Sequence, residues 1–186
     1  MSADDPETSD PAFHAILDAR TRALAEPAAT GAPERRVQVV DVQVSGEQLS
    51  LPAAKLMAIE EMRRLAPLPH APPAVAGLIW RSEKVLPVFY LHAVMSLPLT
   101  ALPERARILV LGKQRPELGL VVDAVSSARW IDPDDLSEVS SSLGPVARTI
   151  LRGVDATGAG LVDVDALLDL DALVVDVAPP DESVQA

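Results

Sequence analysis

The chain has 186 residues, enough for one domain and a tail, and a formal net charge of −11. Such an acidic surface repels nucleic-acid phosphates and anionic lipids, which argues against nucleic-acid binding and direct membrane insertion. Cysteine is absent, which excludes disulfides, thiol nucleophiles and thiolate metal sites. Hydrophobic residues reach 48% but aromatic residues only 3%, so the core must be aliphatic.

The first residues, MSADDPETSDPAF, lack the apolar stretch of a signal peptide. No apolar run in the chain approaches the roughly 20 residues that span a bilayer. We therefore expect a cytoplasmic protein.

Residues 1–35 are rich in Asp, Glu, Pro, Ala and Thr, which is typical of a tail. Within them, DPAFHAILDARTRALAEP predicts a short amphipathic helix near 11–26, begun by a capping Asp10 and ended by Pro27. Three interpretations of this segment stay open: the helix packs on its own domain, it docks a partner, or the segment is partly disordered. The side chains that recur at helical spacing are Phe13, Ile16, Leu17, Arg20 and Leu24.

From Arg36 the sequence changes to short β-branched runs. The first run, Val37–Val44, is followed by a turn at 45–47 and a second strand over 48–52. The next segment, AAKLMAIEEMRRL, fits either a helix or a strand that runs into a helical turn. The proline-rich LAPLPHAPPAV then predicts a stiff extended connection, because each proline fixes φ.

The segment GLIWRSEKVLPVFYL predicts a hairpin, with apolar strands over 77–80 and 85–91 joined by a polar turn. Pro87 is unusual within a strand, since it has no N–H to donate. It therefore suggests a strand edge or a bulge.

The remainder continues as short strands at intervals of about 8–12 residues, which favours a mainly β barrel or sandwich. We expect one domain over 36–176 and a second tail over 177–186. The predicted elements are strands at 108–111, 118–125, 129–131, 149–155 and 160–164, then a helix at 165–173.

Candidate catalytic and metal sites are weak. No histidine has a metal-ligand partner at helical spacing, and the serines 140–142 have no nearby general base. The aspartates of LVDVDALLDLDALVVDV do not follow the EF-hand pattern. Instead we expect Asp163 to face out of a strand, Asp165 to cap the helix and Asp169 to lie on its solvated face. The sequence thus indicates no enzyme activity, cofactor or metal.

Four segments in series resemble the CheW-like domain of bacterial chemosensory systems: LPHAPPAVAGLI, VLPVFYL, LGLVVDAV and LRGVDATGAGLVDVDALL. The resemblance runs from about Val37 to Leu173. It implies a CheW-like fold of two five-stranded SH3-like β-barrels around a shared aliphatic core, with a C-terminal helix. It also implies an adaptor that couples chemoreceptor signalling tips to the regulatory domain of a CheA-type histidine kinase, at membrane-associated arrays.

The family's hairpin usually reads GVINLRGxVxPVxDL, and this chain departs from it at several positions. Trp80 replaces Asn and Ser82 replaces Arg, while Glu83 replaces Gly and Tyr90 replaces Asp. Upstream, the family's Glu is Ala58 in KLMAIEE. The partner-binding residues expected from this resemblance and from the tail helix are Leu56, Ala58, Trp80, Ser82, Glu83, Tyr90, Phe13 and Leu17.

The resemblance also assigns Asp123 to the family's "VD" step, where we expect its carboxylate to bond nearby backbone. A second interpretation of the function stays open. The chain could be a diverged scaffold without receptor coupling, which binds another CheW-like domain or a motility or polarity partner.

Overall fold

The computed structural model describes residues 36–81, 83–98, 101–141 and 143–173. Ser82, the predicted tail helix and both predicted tails lie outside the described residues, as do residues 174–176 at the end of the expected domain. The strands are β1 (Val37–Val44), β2 (Glu47–Pro52), β3 (Leu56–Glu61), β4 (Val75–Arg81), β5 (Lys84–Tyr90), β6 (Arg107–Leu111), β7 (Leu118–Val122), β8 (Ala124–Ile131), β9 (Leu151–Val154) and β10 (Gly160–Val162). The helices are α1 (Leu91–Val94), α2 (Pro145–Ile150) and α3 (Val164–Leu168), with 3-10 turns at Ala53–Lys55, Met62–Arg64, Pro133–Asp135 and Asp171–Leu173.

The strands form two five-stranded sheets, which we call sheet A (order β8-β1-β2-β10-β9) and sheet B (order β3-β6-β7-β5-β4). Both sheets have the same succession of pairings, antiparallel, antiparallel, parallel, antiparallel. Sheet B is inserted in the chain between β2 and β8 of sheet A. The expectation of a mainly β fold with two five-stranded, barrel-like units is confirmed, and the ambiguous segment after Pro52 forms β3.

Each sheet is closed by contacts between its two edge strands. In sheet B, Ala66, which follows β3, exchanges two backbone hydrogen bonds of 2.8 Å with Leu78 on β4. In sheet A, Ser137, which follows β8, forms the same kind of bridge with Val154 on β9, at 2.8 and 2.9 Å. These bridges pair backbone groups that an open sheet would leave exposed at its edges.

An arginine–carboxylate ion pair reinforces each closure. Glu60 on β3 binds Arg81 on β4, and Arg129 on β8 binds Asp155 just after β9. Arg129 also donates from Nε to Asp41 Oδ2 at 2.7 Å and from Nη2 to Ser50 Oγ at 3.1 Å. One guanidinium therefore joins β8, β1, β2 and the end of β9.

A shared aliphatic core lies between the sheets and the helices. Its members from both sheets and from α2 and α3 include Val40, Val42, Leu51, Phe89, Leu109, Leu111, Leu120, Ile150 and Leu167. Each fully buried side chain of this size contributes about 1.5–3 kcal/mol to folding. Smaller clusters lie within sheet B, around Val88 and Ile108, and within sheet A, around Val39 and Leu161.

Asp123 marks the point where the chain passes from sheet B to sheet A. The strand predicted over 118–125 is wrong in its extent, because β7 ends at Val122 and β8 begins at Ala124. The N–H of Asp123 donates to the carbonyl of Gln43 at 2.8 Å, and its Oδ2 accepts the N–H of Ser45 at 2.7 Å. The carboxylate therefore bonds backbone, as expected from the family resemblance.

Two predictions near the C-terminal end need correction. The strand expected from residue 149 begins only at Leu151, because Gly144 and Pro145 start α2 and the Thr149 hydroxyl donates to the Pro145 carbonyl at 3.1 Å. The helix cap is Asp163 rather than Asp165. Asp163 Oδ1 accepts the N–H groups of Asp165 and Ala166, both at 3.1 Å.

Gly77 provides a test of the sheet B closure. It has φ +149°, and a Cβ at this position would lie 2.3 Å from the carbonyl oxygen of Ala66. Gly77→Ala is therefore expected to lower the free energy of unfolding by about 3 kcal/mol or more, because backbone must move. Gly46→Ala is the matched control, because Gly46 has φ +87° and an added Cβ would lie in open space. This variant should lose only about 1–2 kcal/mol of unfolding free energy. Equal losses of unfolding free energy for the two variants, measured by urea titration, would contradict the role of the Ala66–Leu78 bridge.

Asp155 provides a pH test of the sheet A closure. Burial alone would raise the pKa of Asp155, but hydrogen bonds from Thr157, Arg129 and the Ala159 N–H lower the pKa to about 2. Because the pKa of Asp155 is lower in the folded state than its value of 3.8 in the unfolded chain, the carboxylate stabilises the fold at pH values above 3.8. This contribution is lost as the pH falls towards about 2.

Asp155→Asn is therefore expected to destabilise the protein by about 1 kcal/mol at neutral pH, discounted for solvent screening, with little difference near pH 2. Thermal unfolding across that range measures the difference, with the exposed Glu47→Gln as control. A difference that grows as the pH falls would contradict the assignment.

Candidate partner-binding surface

The hairpin β4–β5 carries an apolar surface on its outer side. Trp80 and Val85 lie directly opposite each other and are 68% and 50% exposed. The neighbouring pair on the same side, Leu78 and Pro87, is partly buried. We call these four residues the hairpin patch. An exposed tryptophan beside an exposed valine is a surface suited to a protein partner.

The inner side of the same hairpin holds the patch in place. Ile79 and Leu86 pair between the two patch pairs, and both are buried in the sheet B cluster. The Arg81–Glu60 ion pair attaches the end of β4 to β3. The patch is therefore held in place by packed side chains and by a closed sheet.

Pro87 is accommodated without loss of a backbone hydrogen bond. Leu78 directs both its N–H and its carbonyl to Ala66, so the Leu78–Pro87 pair needs no donor from Pro87. On the other side of β5, pairing with β7 begins only at Val88. Pro87 thus lies within an internal strand, and the expectation of a strand edge or a bulge is wrong. Its missing N–H is tolerated because the pairing with β7 begins only after it.

Glu83 occupies the turn of the hairpin with φ +64°, in the left-handed region. Arg81 and Lys84 form the last strand pair, so the connection has two residues, 82 and 83. The resemblance places glycine at position 83, and glycine adopts this conformation without the cost that a side chain imposes. Glu83 therefore changes the charge of the turn and strains its backbone.

Arg81 and Glu60 form a charged cluster that the sequence analysis missed. Arg64 Nε also lies 3.3 Å from Glu60 Oε2, so one carboxylate forms ion pairs with two guanidinium groups. Arg81 lies one residue before the position at which the family has its arginine. Because Arg81 is bound to β3, it does not simply replace that family arginine at position 82. The spacing of Glu60 and Arg64 in sequence could have indicated half of the cluster, but not its contact with β4.

The other expected site residues do not join the hairpin patch. Leu56 lies in the shared core, and Ala58 is 2% exposed within the sheet B cluster. Tyr90 packs against that cluster, with Leu86 and Val88 on the inner side of β5. Val85 and Trp80 lie on the opposite side. Of the described residues predicted at the site, only Trp80 and Glu83 are exposed together at the hairpin tip.

Tyr90 instead lines a recess beside α1. Its ring lies 5.3 Å from that of His92, centroid to centroid, at an interplanar angle of 38°. Pro73, Leu97 and Leu102 contribute apolar walls. The aromatic pair therefore belongs to a surface distinct from the hairpin patch.

The C-terminal aspartates have structural partners. Asp163 binds Arg152 at 2.8 Å, and this hydrogen bond lowers the pKa of Asp163 against the opposing effect of burial. Asp165 binds Lys55 at 2.7 Å and Asp169 binds Lys113 at 3.2 Å. Because Lys55 and Lys113 flank sheet B, these contacts attach α3 to it. Among the residues with described structure, no three His, Asp or Glu side chains gather as a metal site would require.

Three comparisons place the chain among known proteins. Residues 38–174 match the family model of the CheW-like domain. Over 121 residues the chain is 29% identical to "Chemotaxis protein CheW" of Rhizobium meliloti and 27% identical to "Probable chemotaxis protein CheW" of Rhizobium etli. Each alignment covers 63% of this chain and 76% of the relative.

A solved structure, the scaffolding protein TtCheW from Thermoanaerobacter tengcongensis, has the same fold, with a TM-score of 0.58 and 17% identity. The match covers 68% of this chain and 86% of that one. Taken with the family match, this means that the chain belongs to the CheW-like domain family. Proteins of this family are scaffold adaptors and not enzymes, and this chain is of that class. No helix in the described parts is long and apolar enough to cross a bilayer.

Glu83→Gly tests the strain in the turn. The substitution is expected to raise the free energy of unfolding by about 0.5–1 kcal/mol, because relief of the left-handed cost exceeds the added chain entropy. Urea unfolding measures it. Lys84→Gly is the matched control: Lys84 is exposed in β5, without positive φ, and the change should lower stability. Similar losses in both variants would contradict the strain at Glu83.

Proposed function

We propose that this protein is a chemotaxis adaptor that couples chemoreceptor signalling tips to a CheA-type histidine kinase. Membership of the CheW-like family supports the adaptor class, and relatives named as chemotaxis proteins support the pathway. The protein works in the cytoplasm, at arrays assembled on membrane-bound receptors. The partner supplies the catalysis, and this chain supplies binding surfaces.

The observation that carries the proposal is the exposed Trp80–Val85 pair on a rigidly supported hairpin. The resemblance assigns this hairpin to partner contact, and tryptophan is enriched among residues that dominate binding energy. The inner pair Ile79–Leu86 fixes the hairpin, so little conformational freedom is lost on binding. We infer that the kinase regulatory domain covers the patch.

The turn between β4 and β5 determines which partner can bind the hairpin patch. A partner adapted to the family's arginine would meet Ser82 and the carboxylate of Glu83, while Arg81 is engaged by Glu60. The loss of a guanidinium at position 82 and the gain of a carboxylate at position 83 reverse the local charge. This change penalises the wrong partner more than it strengthens the right one. We propose that this chain has a dedicated partner with a basic group facing Glu83.

Trp80→Ala tests the patch. Capture of the kinase regulatory domain is expected to weaken about tenfold or more, because a central aromatic contact is removed. The thermal midpoint should change by only a few degrees, since Trp80 is exposed. Titration calorimetry and thermal unfolding measure the two effects.

Trp130→Ala is the matched control, because Trp130 is 53% exposed but lies on sheet A. It should leave kinase affinity unchanged. A large stability loss with unchanged affinity for Trp80→Ala would make Trp80 structural. If neither the kinase domain nor a receptor signalling domain binds at roughly tens of micromolar, the coupling role is overturned. Binding of another CheW-like domain alone would favour a diverged scaffold.

A further inference from the structure

Trp130 extends the core-facing side of sheet A beyond the core. It lies opposite Gln38 across β8 and β1, and the next pair on the same side is Val40 with Ala128. Val40 is buried in the shared core and Ala128 packs against it. Trp130 itself is 53% exposed. The rim of the core at this point therefore presents a large aromatic surface to solvent.

The N-terminal segment enters the domain at the same place. Arg36 immediately precedes β1, and Gln38, two residues on, is the cross-strand partner of Trp130. The predicted helix over 11–26 would be about 24 Å long, and the nine residues from 27 to 35 span up to about 30 Å. The helix can therefore reach Trp130 from the point at which its own chain joins the sheet.

The chemistry of the two surfaces is complementary. Phe13, Leu17 and Leu24 share one side of the predicted helix, and Arg20 falls on that same side, while Arg22 falls on the opposite one. Beside Trp130, the chain continues with Asp132 and with two exposed carboxylates at 134 and 135. An apolar strip with an arginine thus matches an indole that is followed within five residues of the chain by three aspartates.

We propose that residues 11–26 dock in cis over Trp130, with Phe13 and Leu17 against the indole and Arg20 towards the aspartates after β8. A short tether raises the local concentration of the helix to about the millimolar range, so a weak contact suffices. A second copy is disfavoured as the occupant, because two chains of net charge −11 repel each other. This docking is independent of the proposed coupling role, which rests on the hairpin patch.

The test uses the full chain with Trp80→Phe, which leaves Trp130 as its single tryptophan. Acrylamide quenching of Trp130 fluorescence measures the exposure of the indole. Adding Phe13→Ser and Leu17→Ser is expected to raise the quenching constant about twofold and to shift the emission to longer wavelength, because the indole becomes solvated. Thermal unfolding checks that the domain remains folded.

The arginines supply a matched pair. Arg20→Glu is expected to increase quenching, whereas Arg22→Glu, with the same change of charge on the opposite side of the helix, should not. Quenching unaffected by Phe13→Ser and Leu17→Ser would overturn the proposal. Low quenching of Trp130 that rises when the protein is diluted would also overturn the proposal. A contact within one chain does not depend on protein concentration, whereas a contact between two copies does.

Discussion

An open five-stranded sheet leaves unpaired backbone groups at both of its edges, where another chain can pair, and this protein meets that constraint twice in the same way. A backbone bridge joins the edges of each sheet, Ala66 with Leu78 and Ser137 with Val154. An arginine–carboxylate pair then joins the same edges, with the roles exchanged: the first edge strand supplies Glu60 in sheet B and Arg129 in sheet A. Closure keeps the inward side chains packed within each sheet and leaves the other side of each sheet to the shared core.

The hairpin patch follows from this closure. The side of β4 and β5 that carries the patch continues the side that faces the shared core, where Phe89 lies on β5. Past the edge of that core the same side becomes surface, and Trp80 and Val85 are exposed there. An exposed apolar surface thus arises where a core-facing strand pair extends beyond the side chains that cover it. The family fold needs no additional element to provide it.

Arg81, at the end of β4, has a structural role in this closure. Glu60 binds it together with Arg64, in a site where Glu60 is largely buried. Removing one partner of such a pair leaves the other poorly solvated, so Arg81 is constrained by the sheet. The side chain of Glu83, further along the turn, is exposed.

Much of the fold was predictable, because β-branched runs, prolines and glycines mark the strands and their ends, and four segments in order identify the family. The closing ion pairs were not predictable, since Glu60 and Arg81, like Arg129 and Asp155, are brought together only by the sheets. The placement of Tyr90 could have been inferred: it is five positions from Val85, an odd number, so the two lie on opposite sides of a strand. The burial of Ala58 depends on an irregular register between β3 and β6, which no local pattern reveals.

The insertion of sheet B into sheet A has a consequence for synthesis on the ribosome. All five strands of sheet B are synthesised consecutively. In sheet A, by contrast, β1 and β2 are synthesised long before their partner strands β8 and β10. The separation is evident in the hydrogen bond from Ser45 to Asp123, which spans 78 positions. We expect the nascent chain to complete sheet B first. Until β8 to β10 are translated, β1 and β2 are paired only with each other, and their outer edges remain exposed. During that interval the early hairpin is the segment most open to pairing with another chain, and chaperone protection is most valuable there.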